Sequence, residues 1–174
     1  RMYMPDTNSS MKRIKVINDP TELVPILRAV DTKVKRDVFR EVSEDWRTLK
    51  EIELKHGKTG KDSILFFEKM KLVETKWVSS DAGSEKAYHT YYMSFHINTT
   101  CTVKEISEVL SIAVLNDKDF SALEKKVLGV VGDTGKFAGD IAEQFEMSSI
   151  ELKSLVKRSV KMEYRGHRIE KISE

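Results

Sequence analysis

The sequence predicts a mainly helical α+β chain made of two similar units, and three observations predict it. A helical spacing of apolar residues gives way to a spacing of two near Val73, and again near Met162. Each switch follows a pair of helices parted by a break, at Gly57 in the first case and at Met147-Ser148-Ser149 in the second. Each switch also leads into a hairpin signal, Asp81-Ala82-Gly83-Ser84 first and Gly166 later.

Taken in order, Asp19-Pro20-Thr21-Glu22 is a helix-start signal, with Pro25 moving the start toward Val24. Asp31 is expected to cap a second helix whose Val34, Val38, Phe39 and Val42 share one face. Thr48 and Glu51 have the spacing of a capping box, followed by Leu49, Ile52 and Leu54 as the buried side of a short third helix. Gly57 suits the left-handed residue that ends it. The next helix, over residues 61–70, buries Ile64 and Phe67 with Leu65 or Met70. Val73, Thr75 and Trp77 then alternate with Glu74, Lys76 and Val78. Across the turn, Ala87, His89, Tyr91, Met93, Phe95 and Ile97 line one face of a second strand.

A helix over residues 103–116 carries Ile106, Val109, Leu110 and Ala113 on one face. Asn116-Asp117-Lys118-Asp119 is the expected boundary. Beyond it the plan returns in compressed form. Leu123, Val127, Leu128 and Val131 mark one helix; Phe137, Ile141, Ala142 and Phe145 mark the next. Ile150, Leu152, Leu155 and Val156 or Val160 mark the third, before the hairpin around Gly166.

A helix pair followed by a hairpin is a device for laying one helix in a DNA groove with a wing beside it. The expected architecture is therefore tandem winged helix-turn-helix units joined by a long helix. Residues 1–18 form a flexible N-terminus, 19–100 the first unit, 101–117 a connecting and dimerisation helix, and 118–174 the second unit.

Composition limits the function classes. With 40% hydrophobic and 33% charged residues, the 174-residue chain is that of a globular protein. The longest apolar run, Ile112-Ala113-Val114-Leu115, is far short of the roughly 20 residues that span a bilayer. No basic start with an apolar run opens the sequence, so a cytoplasmic protein with no membrane attachment is expected. Cys101 is the one cysteine, which fits a reducing compartment. The net charge of +2 is too small to argue for nucleic acid, so any positive surface must come from local arrangement.

The stretch Phe67-Glu68-Lys69-Met70-Lys71-Leu72-Val73-Glu74-Thr75, in which a helix runs into its wing, resembles that of archaeal ArsR-like winged-helix transcriptional regulators. Residues 140–145, Ser149 and residues 155–158 resemble a generic helix-turn-helix pair. The resemblance covers residues 20–172 and implies a DNA-binding transcription regulator. Metal-sensing members use paired cysteines or clustered His and carboxylates; this chain has neither pattern, so metal sensing does not carry over. No cofactor is implied, and a small-molecule effector is unknown from sequence.

Lys58, Thr59, Lys61, Asp62 and Lys69 are the candidates to face a DNA groove. Lysines at a helix N-terminus oppose the macrodipole, and docked phosphates would explain them; ordinary solvated lysines are the other reading. In the wing, Lys76 and Lys86 are candidates beside Asp81 and Glu85, while Tyr88, Tyr91 and Tyr92 read first as packing. In the second unit Lys153, Lys157 and Lys161 form a row, joined by Arg158, Arg165 and Arg168, that can follow a phosphate backbone. The same row can be the polar side of an amphipathic helix, with Arg158 a buried structural residue. Ile106, Val109, Leu110 and Ala113 offer a homodimer face that would set two recognition helices about 34 Å apart on double-stranded DNA. They can instead pack between the two units of one chain.

Enzymatic readings fail. Gly57-Lys58-Thr59-Gly60-Lys61-Asp62 lacks the first glycine and the Ser/Thr of a phosphate loop and follows a helix. His96 and Cys101 lack further ligands. Asn98-Thr99-Thr100 is a sequon with nothing pointing to export. The alternative to DNA binding is a protein-interaction module, since winged helices also serve as rigid platforms.

Overall fold

In the structure, a computed structural model that describes residues 13–173, helices alternate with small sheets. Strand β1 (Ile14–Ile17) is followed by a 3-10 turn, Pro20–Glu22, and α1 (Leu23–Ala29). Then come α2 (Lys33–Glu44), β2 (Arg47–Thr48), α3 (Leu49–Lys69), β3 (Val73–Ser80), β4 (Gly83–Thr90) and β5 (Ser94–Ile97). The rest runs through α4 (Val103–Ala113), α5 (Asp117–Val131), β6 (Lys136–Phe137), α6 (Ala138–Gln144) and α7 (Ser149–Arg158). A last hairpin pairs β7 (Met162–Arg165) with β8 (Arg168–Lys171). The chain divides into two units: residues up to Ile17 with Ala29–Asn98, and Asn18–Arg28 with the chain from Thr99 onward.

In the first unit, Thr32 rather than Asp31 caps α2, accepting from the Lys35 N–H; Asp31 pairs with Lys35 Nζ at 2.9 Å. Val38 and Val42 of α2 pack with Ile52, Ile64 and Phe67 of α3, and with Leu72, Val73 and Tyr88 of the hairpin. Thr48 caps α3, accepting from the Glu51 N–H at 3.1 Å. The two expected helices are one element broken at Gly57, whose φ of 70° is strained for any residue with a Cβ. Gly60 is the second requirement, because a Cβ there would overlap His56 Cβ where the segments cross. Leu54, expected inside, lies on the outer side of the first segment at 88% exposure.

The first-unit sheet has the order β2-β4-β3, with Val73 opposite Thr90 and Ser80 opposite Gly83. The expected long second strand is two strands. The Tyr91 N–H donates to Leu72 O and the Met93 N–H to Arg13 O, which turns the chain out of the hairpin. β5 then pairs in parallel with β1. Ile14–Ile17 is thus a strand, although it fell in the expected flexible N-terminus; residues 1–10, expected to be loose, lie outside the described residues.

In the second unit, Asn116 caps α5, accepting from the Asp119 N–H at 2.8 Å, so the expected boundary at residues 116–119 is a helix start. Phe120, Val127, Val131, Ile141, Leu152, Leu155, Met162 and Ile169 form one core. Ser148 and Glu151 make a reciprocal capping box at the start of α7. The sheet order is β6-β8-β7. Both units therefore run helix, short strand, helix, helix, hairpin, with the last hairpin strand in the centre of three. The second unit also holds α4, which packs on α7 rather than standing as a long connecting helix. Among the described residues no helix is long and apolar enough to cross a membrane.

Candidate functional site

The second segment of α3, residues 58–69, turns Ser63, Ile64 and Phe67 inward. Lys58, Asp62 and Lys69 recur at helical spacing on the outer face, with Thr59 exposed and Lys61 half-buried beside them. Lys58, Lys61 and Lys69 have no ion-pair partner among the described residues. Local bonds fix the start of the segment: Thr59 Oγ1 donates to His56 O at 3.4 Å, and Ser63 Oγ to Thr59 O at 2.7 Å.

Behind the break, buried Glu41 of α2 places Oε1 3.0 Å from His56 Nε2 and 2.7 Å from Lys55 Nζ. Burial alone would raise its carboxyl, but the hydrogen bonds from Lys55 and His56 win and hold it below the ordinary glutamate value. The break between the two segments is thus braced from α2 by charge as well as by the two glycines.

The hairpin separates its candidates. Lys86 Nζ lies 2.5 Å from Glu68 Oε2 at the end of α3, and that hydrogen bond raises its pKa. Lys76, on the opposite face, lies over the Trp46 ring at 4.2 Å, and Trp46 stacks in turn near His89. Tyr88 is buried as packing, whereas Tyr91 lies partly in the open beneath the Arg13 guanidinium. Trp77 is 71% exposed, although it shares a strand face with buried Val73. The signal was available: a strand of eight residues outruns the core that its first residues cover.

The second unit treats its basic row differently. Lys153 Nζ lies 2.6 Å from Asp19 Oδ2. Burial raises the Asp19 carboxyl, but the Lys153 hydrogen bond and the Thr21 N–H and hydroxyl bring it below the ordinary aspartate value. Arg158 is 5% exposed. It donates to Ile112 O at 2.8 Å and Leu115 O at 2.7 Å, reaches Asp117 at 3.2 Å, and lies over the Phe120 ring. Arg158 is thereby a structural residue, and its place in the expected phosphate row is corrected.

Lys157 is half-buried; Lys161 lies past the end of α7, 3.8 Å from Glu124 Oε1. Arg165 sits between Glu163 at 3.2 Å and Glu170 at 3.3 Å. Arg168 donates to Thr134 O and lies over Phe137. The row does not form one open stripe. Burial, with the Asp19 charge nearby, pushes the Tyr164 hydroxyl up to about 12. An open cleft of about 690 Å³ at the start of α7 is lined by Asp19, Glu105, Lys153, Tyr164 and His167, a mixed set of charges.

The expected dimer face also divides. Val109 and Ala113 are buried with Val24, packed by Ile150 of α7, so they are spent inside the unit. Ile106 is half-buried and Leu110 is 40% exposed. The open apolar side of α4 is instead Val103 and Leu110, with Val114 just past its end. Among the described residues no group of three or more His, Cys, Asp or Glu could hold a metal ion.

A family model described as ArsR, ArsR transcriptional regulator, matches residues 17–173. No curated protein matches the chain.

Proposed function

We propose that this chain, which belongs to the ArsR family of transcriptional regulators, is a tandem of winged helix-turn-helix units that reads double-stranded DNA through the first. The supporting observation is the outer face of residues 58–69. Lys58 and Lys69 stand exposed and, among the described residues, without ion-pair partners on a helix braced from behind by Glu41 and Phe67. That segment enters the major groove, and β3–β4 forms the wing against the flanking backbone.

The regulator acts as a homodimer in the cytoplasm, its copies meeting on the side of α4 that carries Val103, Leu110 and Val114. This replaces a contact through Val109 and Ala113, which are already covered. No cofactor enters this reading. A protein-facing role for the second unit is favoured by one observation: α7 is packed by α4 and the 3-10 turn and has Lys153 tied to Asp19.

Fluorescence anisotropy with a duplex from the chain's own upstream region and a scrambled duplex, over a salt series, tests the DNA reading. Selective binding that weakens linearly in log salt is expected, with Lys58→Ala and Lys69→Ala each reducing the slope by about 1. A folded protein that binds neither duplex at low salt refutes it.

A further inference from the structure

The two faces of the β3–β4 hairpin differ in charge. One face carries Glu74, Lys76, Val78 and Ser80 across from His89, Ala87, Glu85 and Gly83. It is tied up, with Glu74 2.7 Å from Arg13 and Lys76 over Trp46. The other carries Val73, Thr75, Trp77 and Ser79 across from Thr90, Tyr88, Lys86 and Ser84, and it holds no acid. Val73, Tyr88 and Thr90 cover the core at its base. Its outer half, with Trp77, Ser79 and Ser84, is open. Side chains of this face point to the same side as α3, since Tyr88 packs with α3 residues and Lys86 is bonded to Glu68.

An indole is among the most costly side chains to leave in water, and single-domain cores usually absorb it. Here it stands at 71% exposure on a strand rigidly paired through eight positions. Its neighbours are hydroxyls and a lysine, and the lysines of the α3 segment and its end, Lys69 and Lys71, are exposed nearby in sequence on the same element junction. This surface carries hydroxyls and one flat aromatic, with the charge of Lys86 balanced by Glu68, and it suits a partner that presents apolar edges and faces beside its charge. Duplex DNA is such a partner: an aromatic can lie against sugars and base edges in the minor groove or wedge between bases.

We propose that Trp77 is a DNA contact, the residue that anchors the wing beside the helix of residues 58–69. The inference rests on the DNA reading of the first unit and adds to it a residue that contacts the duplex. Lys86 serves it as a positioning residue, since its bond to Glu68 fixes the wing against α3.

The test uses the full chain and the fluorescein-labelled upstream duplex. Trp77→Ala is expected to weaken binding about tenfold, in the range that one aromatic–base contact supplies. Trp77 is exposed, so thermal unfolding of the variant should match the parent; Trp77→Phe should recover part of the affinity. In a Trp46→Phe background the remaining indole emission should be quenched as unlabelled duplex saturates the protein.

If Trp77→Ala binds like the parent while Lys58→Ala and Lys69→Ala lose affinity, the inference falls and the DNA reading stands. Unchanged Trp77 emission at saturating duplex overturns it in the same way. If Trp77→Ala instead changes the sedimentation of the free protein, the indole faces protein and the inference is again overturned. Failure of the parent chain to bind any duplex removes both.

Discussion

The two units share an order of elements and a sheet order, yet they use the third helix in opposite ways. In the first, the outer face of residues 58–69 keeps two exposed lysines with no ion-pair partner among the described residues, and the inner face rests on α2. In the second, α7 is packed on several sides, by its own hairpin, α4 and the 3-10 turn. Its basic residues are turned to internal work: Lys153 holds Asp19, and Arg158 ties down the end of α4. The same supersecondary plan thus yields an open surface or a scaffold, depending on what the flanking chain lays over it. Fold order alone does not assign a binding helix.

The largest effect that separates the units is expected from Arg158→Ala. The substitution leaves Ile112 O and Leu115 O without their donor in a buried place and removes a guanidinium from the Phe120 ring. A loss of about 3 kcal/mol is expected, read by denaturant unfolding, with faster hydrogen exchange confined to the second unit. Equal loosening of α2 and α3 would mean that the two units do not unfold separately.

Gly60→Ala is the counterpart in the first unit. Its Cβ would overlap His56 Cβ, so the segments of α3 must move apart. Overpacking of this kind costs about 2 kcal/mol and should shift residues 58–69 away from the brace at Glu41. DNA affinity should fall with it, and circular dichroism should show helix retained. Lys58→Ala with Lys69→Ala is smaller in energy, about 1.4 kcal/mol or tenfold in duplex affinity. The matched pair Lys153→Ala with Lys157→Ala should leave duplex affinity unchanged. An equal loss from both pairs would erase the distinction between the units.

The legible part of the fold was what local chemistry decides. The cap at Thr48, the break at Gly57 and the turn at Gly166 are each signalled by one or two side chains, whereas Asn116 and Ser148, read as a boundary and a break, are helix caps. Less legible was what long-range packing decides. Nothing local in Ile14–Ile17 says that it will pair with Ser94–Ile97, some eighty residues away. The basic row in α7 read as an open stripe because helical spacing gives a face and not what covers it; Asp19, the cover for Lys153, lies in a segment that belongs to the second unit although the sequence places it with the first. Val109 and Ala113 misled for the same reason. Trp77 shows the reverse limit, since alternation places a side chain on a face but not within reach of a core.

Acid offers a finer comparison. Glu41 in the first unit and Asp19 in the second both have folded pKa values below their ordinary ones, so each adds stability that is complete above the ordinary value. That contribution drains as pH falls through the ordinary value to the lowered one. Glu41→Gln should cost about 1 kcal/mol near neutral pH and flatten the acid limb for first-unit probes alone. Asp19→Asn should do so for second-unit probes. Circular dichroism melts from neutral pH down through and below the ordinary carboxylate range, with exchange to assign the unit, would show whether either substitution acts on the wrong side.

The smallest expected effect has the opposite sign. Ser154 is fully buried on α7, and its hydroxyl has no hydrogen-bond partner among the described residues. A buried hydroxyl without a partner forfeits its hydration and gains nothing in return. Only a small side chain suits that position on a helix so closely covered, which excludes a larger apolar substitute. Alanine keeps the size, removes the unmet hydroxyl and has the better helix propensity. Ser154→Ala is therefore expected to raise second-unit stability by roughly 0.5–1 kcal/mol and to leave duplex affinity unchanged. If it destabilises instead, the hydroxyl is satisfied in solution, and α7 is less closely covered than its packing implies. The second unit would then present a more open third helix, as the first does.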